Sequence, residues 1–195
     1  GTLLDLSTFE DSALFWRDGI RQPALYAGAR YGAAQSVHVQ NGTVYAAGYF
    51  NDGTNSFSAA YWQGSTLTDL SPSFRSEAWD IDVTDAGDVY VAGAVHNGTN
   101  YGSAYWDSRS TSANILIQDS VTSGNASRAT GIDVADGSVY IAGYYNEAQD
   151  IPVYWIDSVD YELPLLGAIG GRAIEVFKDT ESIYVAGFVV DSSNR

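Results

Sequence analysis

The sequence predicts an all-β chain built as a four-bladed β-propeller, on two recurring motifs and the turn chemistry between them. Val44-Tyr45-Ala46-Ala47-Gly48 returns as Val89-Tyr90-Val91-Ala92-Gly93, as Val139-Tyr140-Ile141-Ala142-Gly143 and as Ile183-Tyr184-Val185-Ala186-Gly187, with the glycines 45, 50 and 44 residues apart. An aromatic-Trp pair keeps the same beat at Phe15-Trp16, Tyr61-Trp62, Tyr105-Trp106 and Tyr154-Trp155. Two separate motifs that drift together mark a repeated structural unit, which composition alone does not produce.

Each unit reads as four short strands, a to d, separated by turns. In the second, Glu77 to Thr84 alternates around Ile81 and Val83, and Asp85-Ala86-Gly87-Asp88 turns the chain. Val89 to Val95 is nearly all apolar, as a strand covered on both faces must be. Asn97-Gly98-Thr99-Asn100 leads into Ser103 to Trp106, and a weaker strand lies around Ile115 to Ile117. Asn41-Gly42, Asp52-Gly53 and Asp136-Gly137 suit tight hairpins that need φ > 0. No segment shows the 3.6-residue period of an amphipathic helix. In strand b the Ala-Gly pair removes side-chain bulk, which lets a neighbouring blade approach and a large ring such as Trp62 or Trp106 lie over the gap.

The Val-Tyr-x-Ala-Gly strands and the a-b-c-d order resemble the Kelch and YVTN-type propeller repeats of bacterial surface proteins. The resemblance spans nearly the whole chain and implies architecture alone, since such repeats carry many unrelated activities.

The two ends of the chain are out of phase with the units. A fourth b strand, Ile183 to Val190, comes last, while a c strand around Ala13 to Trp16 and a d-like stretch around Pro23 to Tyr26 come first. Joining N-terminal c/d strands to C-terminal a/b strands is expected to complete blade four and close the ring; the alternative is a fragment of a longer propeller. Residues 11–195 then form one domain, and residues 1–10 an N-terminal extension. Leu3, Leu4 and Leu6 give that extension strand character. It is either an edge strand on its own molecule or a strand donated to the next one, which grows filaments.

The 195 residues suffice for one core, and 45% hydrophobic with 13% aromatic residues excludes global disorder. A formal net charge of -15 argues against nucleic acid and anionic membrane surfaces as partners. With no Cys there is no disulfide and no thiolate chemistry, and no apolar run is long enough for membrane insertion. A start at Gly1 without Met is expected of a terminus left after a signal peptide or longer precursor was removed.

Among candidate sites, His38, Asp82, Asp133 and Glu175 are each a polar residue between apolar ones on an a strand, and they are read as equivalent positions facing the axis. Converging there, they are either Ca²⁺ ligands in the central channel or solvated rim residues; no other cofactor is expected. The recurring tryptophans serve as core or as sugar-stacking platforms, one per blade. Trp79 falls outside the repeat, and with Tyr49, Tyr101 and Tyr144 it marks a candidate ligand face. Asn41, Asn97 and Asn125 open Asn-x-Ser/Thr triplets that accept glycan in a suitable host. No catalytic site is expected: the acid pairs Asp80/Asp82 and Asp133/Asp136 are too common in so acidic a chain, and neither His38 nor His96 lies near a nucleophile elbow. The sequence thus points to an extracellular or cell-surface, non-enzymatic adhesion module, self-assembling through its N-terminal strand. The alternative is a lectin for surface glycans with repeated loop sites.

Overall fold

The computed structural model describes residues 2–5, 10–25, 31–51, 53, 57–71, 75–110, 112–116 and 126–191, and every regular element among them is a strand. An N-terminal segment carries β1 (Thr2–Asp5) with β2 (Glu10–Ala13), and β3 (Trp16–Arg17) with β4 (Ile20–Arg21). The first repeat unit is β5 (Tyr31–Gln40), β6 (Thr43–Asn51), β7 (Ser58–Gln63) and β8 (Thr66–Asp69). The second is β9 (Ser76–Val83), β10 (Val89–His96), β11 (Tyr101–Asp107) and β12 (Asn114–Ile115). The third is β13 (Ser127–Ala135), β14 (Ser138–Asn146), β15 (Asp150–Ile156) and β16 (Val159–Glu162). The fourth has two strands, β17 (Gly170–Lys178) and β18 (Ile183–Val190).

Within each unit consecutive strands pair antiparallel, in a-b-c-d order. Asn41-Gly42 and Asp136-Gly137 join a to b, and all four residues have φ between 51° and 81°, the left-handed geometry a two-residue hairpin demands. The glycine of the repeated motif answers to a different constraint. A Cβ on Gly48, Gly93, Gly143 or Gly187 would lie 1.8, 2.1, 2.1 or 2.2 Å from a carbonyl oxygen of its own a strand. At Gly93 and Gly143 the ring of Trp106 or Trp155 also comes within 2.9 Å of that point. The Trp therefore does lie over the gap, but the close approach is between strands of one sheet. The neighbouring alanine is what meets the next sheet.

The sheets stack in a row. Tyr45, Ala47 and Ala59 of the first pack on Ile81, Val83 and Trp106 of the second. Tyr90 and Ala92 of the second meet Ile132, Ile141 and Trp155 of the third. Tyr140 and Ala142 of the third meet Ala173 and Val176 of the fourth. Polar stitches run through this apolar interior: Ala59 N donates to Ser76 Oγ at 2.8 Å, and Ser103 N to Ser127 Oγ at 2.8 Å, so buried backbone groups at the junctions are paired.

The sheets do not close, and the expected completion of blade four inside one chain is corrected here. Residues 13–25 do form a c/d-type hairpin, turned at Asp18-Gly19, with Gln22 N donating to the Phe15 carbonyl and Leu25 N to that of Ala13. This hairpin seats on the first sheet, where Ala13, Phe15 and Leu25 pack with Ala46, Ala60 and Trp62. A bridge between Asp11 and Tyr31 joins the strand leading into it to β5. At the far end of the row, β18 pairs only with β17 among the described residues, and Tyr184 lies opposite Phe177. The N-terminal extension is also engaged within its own chain, since β1 pairs along β2 from Thr2 opposite Ala13 to Asp5 opposite Glu10. Leu3 and Leu4 belong to that pairing; Leu6 lies outside the described residues.

Candidate functional site

Every a strand carries one β-bulge at the same height. The a–b register slips between Ala34 and Ser36, between Ala78 and Asp80, between Ala129 and Gly131, and between Ala173 and Glu175. The extra residues are Gln35, Trp79, Thr130 and Ile174. A bulge re-aims its side chain out of the pleat, and all four of these residues border one cleft of about 440 Å³ along the inner strands.

Charged and aromatic side chains finish its walls. Arg128 pairs with Glu77 at 3.3 Å and lies over the rings of Trp79 and Tyr101, 5.5 and 4.8 Å from their centroids. Arg172 repeats the device one sheet on, pairing with Asp150 and covering Tyr144 at 4.3 Å. In each case an arginine of one sheet reaches an acid and an aromatic ring of the sheet before it. Phe188 opens to solvent at the cleft, whereas Tyr144 is buried. Tyr101 donates its hydroxyl to Glu77 at 2.9 Å, and burial with that bond pushes the phenol up to about 12.

The acids of the inner strands join sheet to sheet. Asp80 accepts from Ser36 Oγ at 2.6 Å and from Ile132 N at 2.8 Å. Asp82 accepts from Val134 N at 2.8 Å and lies 3.2 Å from His38 Nδ1, and Asp133 accepts from Lys178 N at 2.6 Å. Of the acids weighed for catalysis, Asp80, Asp82 and Asp133 thus each give an oxygen to a backbone N–H of another sheet, and Asp136 lies exposed, 4.0 Å from Lys178 Nζ. No group of three or more acidic or histidine side chains among the described residues is placed to hold a metal ion.

The expected equivalence of Glu175 with His38, Asp82 and Asp133 is also corrected. Those three lie opposite Tyr45, Tyr90 and Tyr140, and the residue opposite Tyr184 is Phe177. Glu175 lies opposite Ala186, which makes it the counterpart of Ser36, Asp80 and Gly131 beside the bulges. The Ile174-Glu175-Val176 run imitates the polar-between-apolar pattern because Phe177 fills the usually polar place.

Glu175 lies on the wall of the cleft and is open to solvent. Desolvation raises it to about 7, the nearby Asp80 charge adds to the rise, and the Val176 N–H opposes it. Burial raises Asp80 and Asp133 as well. Folding therefore takes up protons, and stability is expected to fall as pH rises from about 4.5 through about 7. Discounted for solvent screening, the Glu175 share is about 1 kcal/mol, or roughly 3 °C in Tm. Glu175→Gln should flatten that part of the slope in melts taken at acid and at alkaline pH; an unchanged slope would place the effect elsewhere.

Of the expected ligand-face residues, Trp79 and Tyr144 border the cleft, and Tyr101 joins it through Arg128. Tyr49 is held apart against Phe57, ring edge to face at 5.2 Å. The recurring tryptophans are core at three positions, with Trp62, Trp106 and Trp155 at 1% exposure or less. Asn41 and Asn97 are exposed at turns, and the Asn97 side chain accepts from Thr99 N and Asn100 N; Asn125 lies outside the described residues. Sequence reading missed Arg128 and Arg172. Their signal was a shared place, each fifteen residues before a motif glycine, Gly143 or Gly187.

No protein-family model and no curated protein matches the chain. One solved structure with partial backbone likeness is a fucose lectin from Kordia zhangzhouensis in complex with methyl-fucoside. It is 12% identical, covers 66% of this chain and 96% of its own, and has a TM-score of 0.44. At that level of likeness the reading of the cleft rests on this chain's own residues.

Proposed function

We propose that the stacked sheets are blades of a propeller and that the chain is a non-enzymatic glycan-binding module of an extracellular or cell-surface protein. Its ligand is a neutral saccharide held in the axial cleft. The observation that carries this reading is the convergence of bulge-borne Trp79 with Phe188, Arg128, Arg172 and Glu175 on one open cleft. A sugar presents C–H faces that pack on aromatic rings and hydroxyl pairs that suit planar donors and acceptors. A few convergent polar groups among apolar walls are what a small-ligand site requires.

Neutral sugars fit better than anionic ones. Both arginines are already paired with carboxylates, and the chain as a whole is strongly acidic. On a glycan array the protein should bind a defined subset of neutral glycans saturably. Trp79→Ala should weaken that binding by about tenfold or more, the loss of one stacked ring, while Tyr161→Ala on exposed β16 should leave it unchanged. Absence of any saturable neutral glycan, or a Trp79→Ala variant that binds like the parent, would overturn the assignment.

A further inference from the structure

The three junctions inside the chain follow one pattern. The b strand of one sheet offers a tyrosine and an alanine, and the a strand of the next offers aliphatic residues. Tyr45, Tyr90 and Tyr140 are 7%, 6% and 7% exposed there, and Ile81, Val83, Ile132 and Val176 are all at 3 or 4%. By ladder register, Tyr184 and Ala186 hold the offering places on the last sheet, and Val37 and Val39 the receiving places on the first. In the single chain these stand open: Tyr184 is 56% exposed, Val37 55% and Val39 59%. The chain therefore carries, at opposite ends of its row, both halves of a contact that it makes three times internally.

The strand edges correspond in the same way. In the complete sheets the b strand pairs with a c strand, Ala46 opposite Trp62, Val91 opposite Trp106 and Ile141 opposite Trp155. The same register sets Val185 of β18 opposite Trp16 of a 13–25 hairpin. That hairpin has the backbone bonding of its counterparts: Leu25 N donates to the Ala13 carbonyl as Leu70 N does to Ala59 and Leu163 N to Pro152. Trp16 is 53% exposed where Trp62, Trp106 and Trp155 are buried.

We propose that the chain associates head to tail with a second copy of itself: Tyr184 and Ala186 of one copy pack on Val37 and Val39 of the next, whose Ala13–Leu25 hairpin completes the β17–β18 sheet. The occupant is a second copy because each junction inside the chain is already a working version of this interface, and because among the described residues β18 pairs with β17 and not with the chain's own 13–25 hairpin. The contact is heterologous, so it extends into filaments or closes as a ring of several copies. β1 competes for it. It pairs with Ser12 and Ala13 on the edge away from β5, where a b strand stands in the other sheets, so β18 must displace it there. Removing residues 1–5 should strengthen association.

Light scattering on the 195-residue chain tests the proposal, with Val37→Asp and Tyr184→Asp beside the parent. The parent should associate with rising concentration, and either variant alone should do so about a hundredfold more weakly, because a charge is buried in an apolar contact. Each variant keeps the face that the other has lost, so an equimolar mixture should form dimers that stop there. As a second measurement, the Cys-free chain given Trp16→Cys and Val185→Cys together should oxidise to an intermolecular ladder. A parent that stays monomeric, variants that associate like it, a mixture that does not pair, or a disulfide formed only within one chain would each overturn the proposal.

Discussion

Gly143→Ala is expected to destabilise the fold severely. The added methyl would lie 2.1 Å from the Arg128 carbonyl oxygen and 2.9 Å from the buried Trp155 ring, and neither can retreat. The carbonyl lies in the paired ladder just before the bulge of β13, and the ring is packed into the junction with the second sheet. To admit the methyl, the sheet must undo its bulge or open the junction, at a cost above about 3 kcal/mol against a total stability of roughly 5–15. Gly137→Ala is the informative control. That glycine sits at φ 81° with open space around it, so only the strain of a left-handed alanine applies, about 1 kcal/mol. Circular dichroism and urea unfolding of the two variants separate close approach from turn strain. Equal, mild losses would mean that the motif glycine is not where sheet geometry is decided.

Trp155 should show the next largest effect, and its two truncations should differ. The side chain is fully buried between Tyr90, Ala92 and Ile141, and its indole N–H has no partner among the described residues. Trp155→Ala empties a large volume in a rigid interior and should cost about 3–5 kcal/mol. Trp155→Phe keeps most of the ring and removes an unpaired donor, whose burial is itself unfavourable by roughly 1–3 kcal/mol. The Phe variant is therefore expected to lose no more than about half of what the Ala variant loses in urea midpoint. A Phe variant as unstable as the Ala one would show that the indole N–H is paired in the folded protein.

The repeat was legible because each unit solves the same packing problem with the same residues. Val-Tyr-x-Ala-Gly puts a tyrosine and an alanine against the following sheet at every junction, and the Trp of strand c returns because each sheet covers the preceding one. What the motif did not disclose is main-chain behaviour. A bulge adds one residue to one strand, and nothing in Gln35, Trp79, Thr130 or Ile174 as residue types announces it. All four of those side chains border the cleft, which was therefore visible only in part, through Trp79, Tyr144 and the differently read Glu175. Glu175 was misplaced for a related reason: a local run with the right polarity outweighed its distance from Gly187. Closure failed as an expectation because matching strand types at the two ends says nothing about where the row of sheets carries them.

A ¹H–¹⁵N titration of the chain with a glycan selected on the array tests most directly whether the cleft takes a neutral sugar, as proposed. The Trp79 indole resonance should move saturably, together with the Arg128 and Arg172 side-chain signals, while the core indoles of Trp62, Trp106 and Trp155 stay in place. Shifts confined to the outer strands and loops around Tyr161 or Asn97, with Trp79 unmoved, would contradict it.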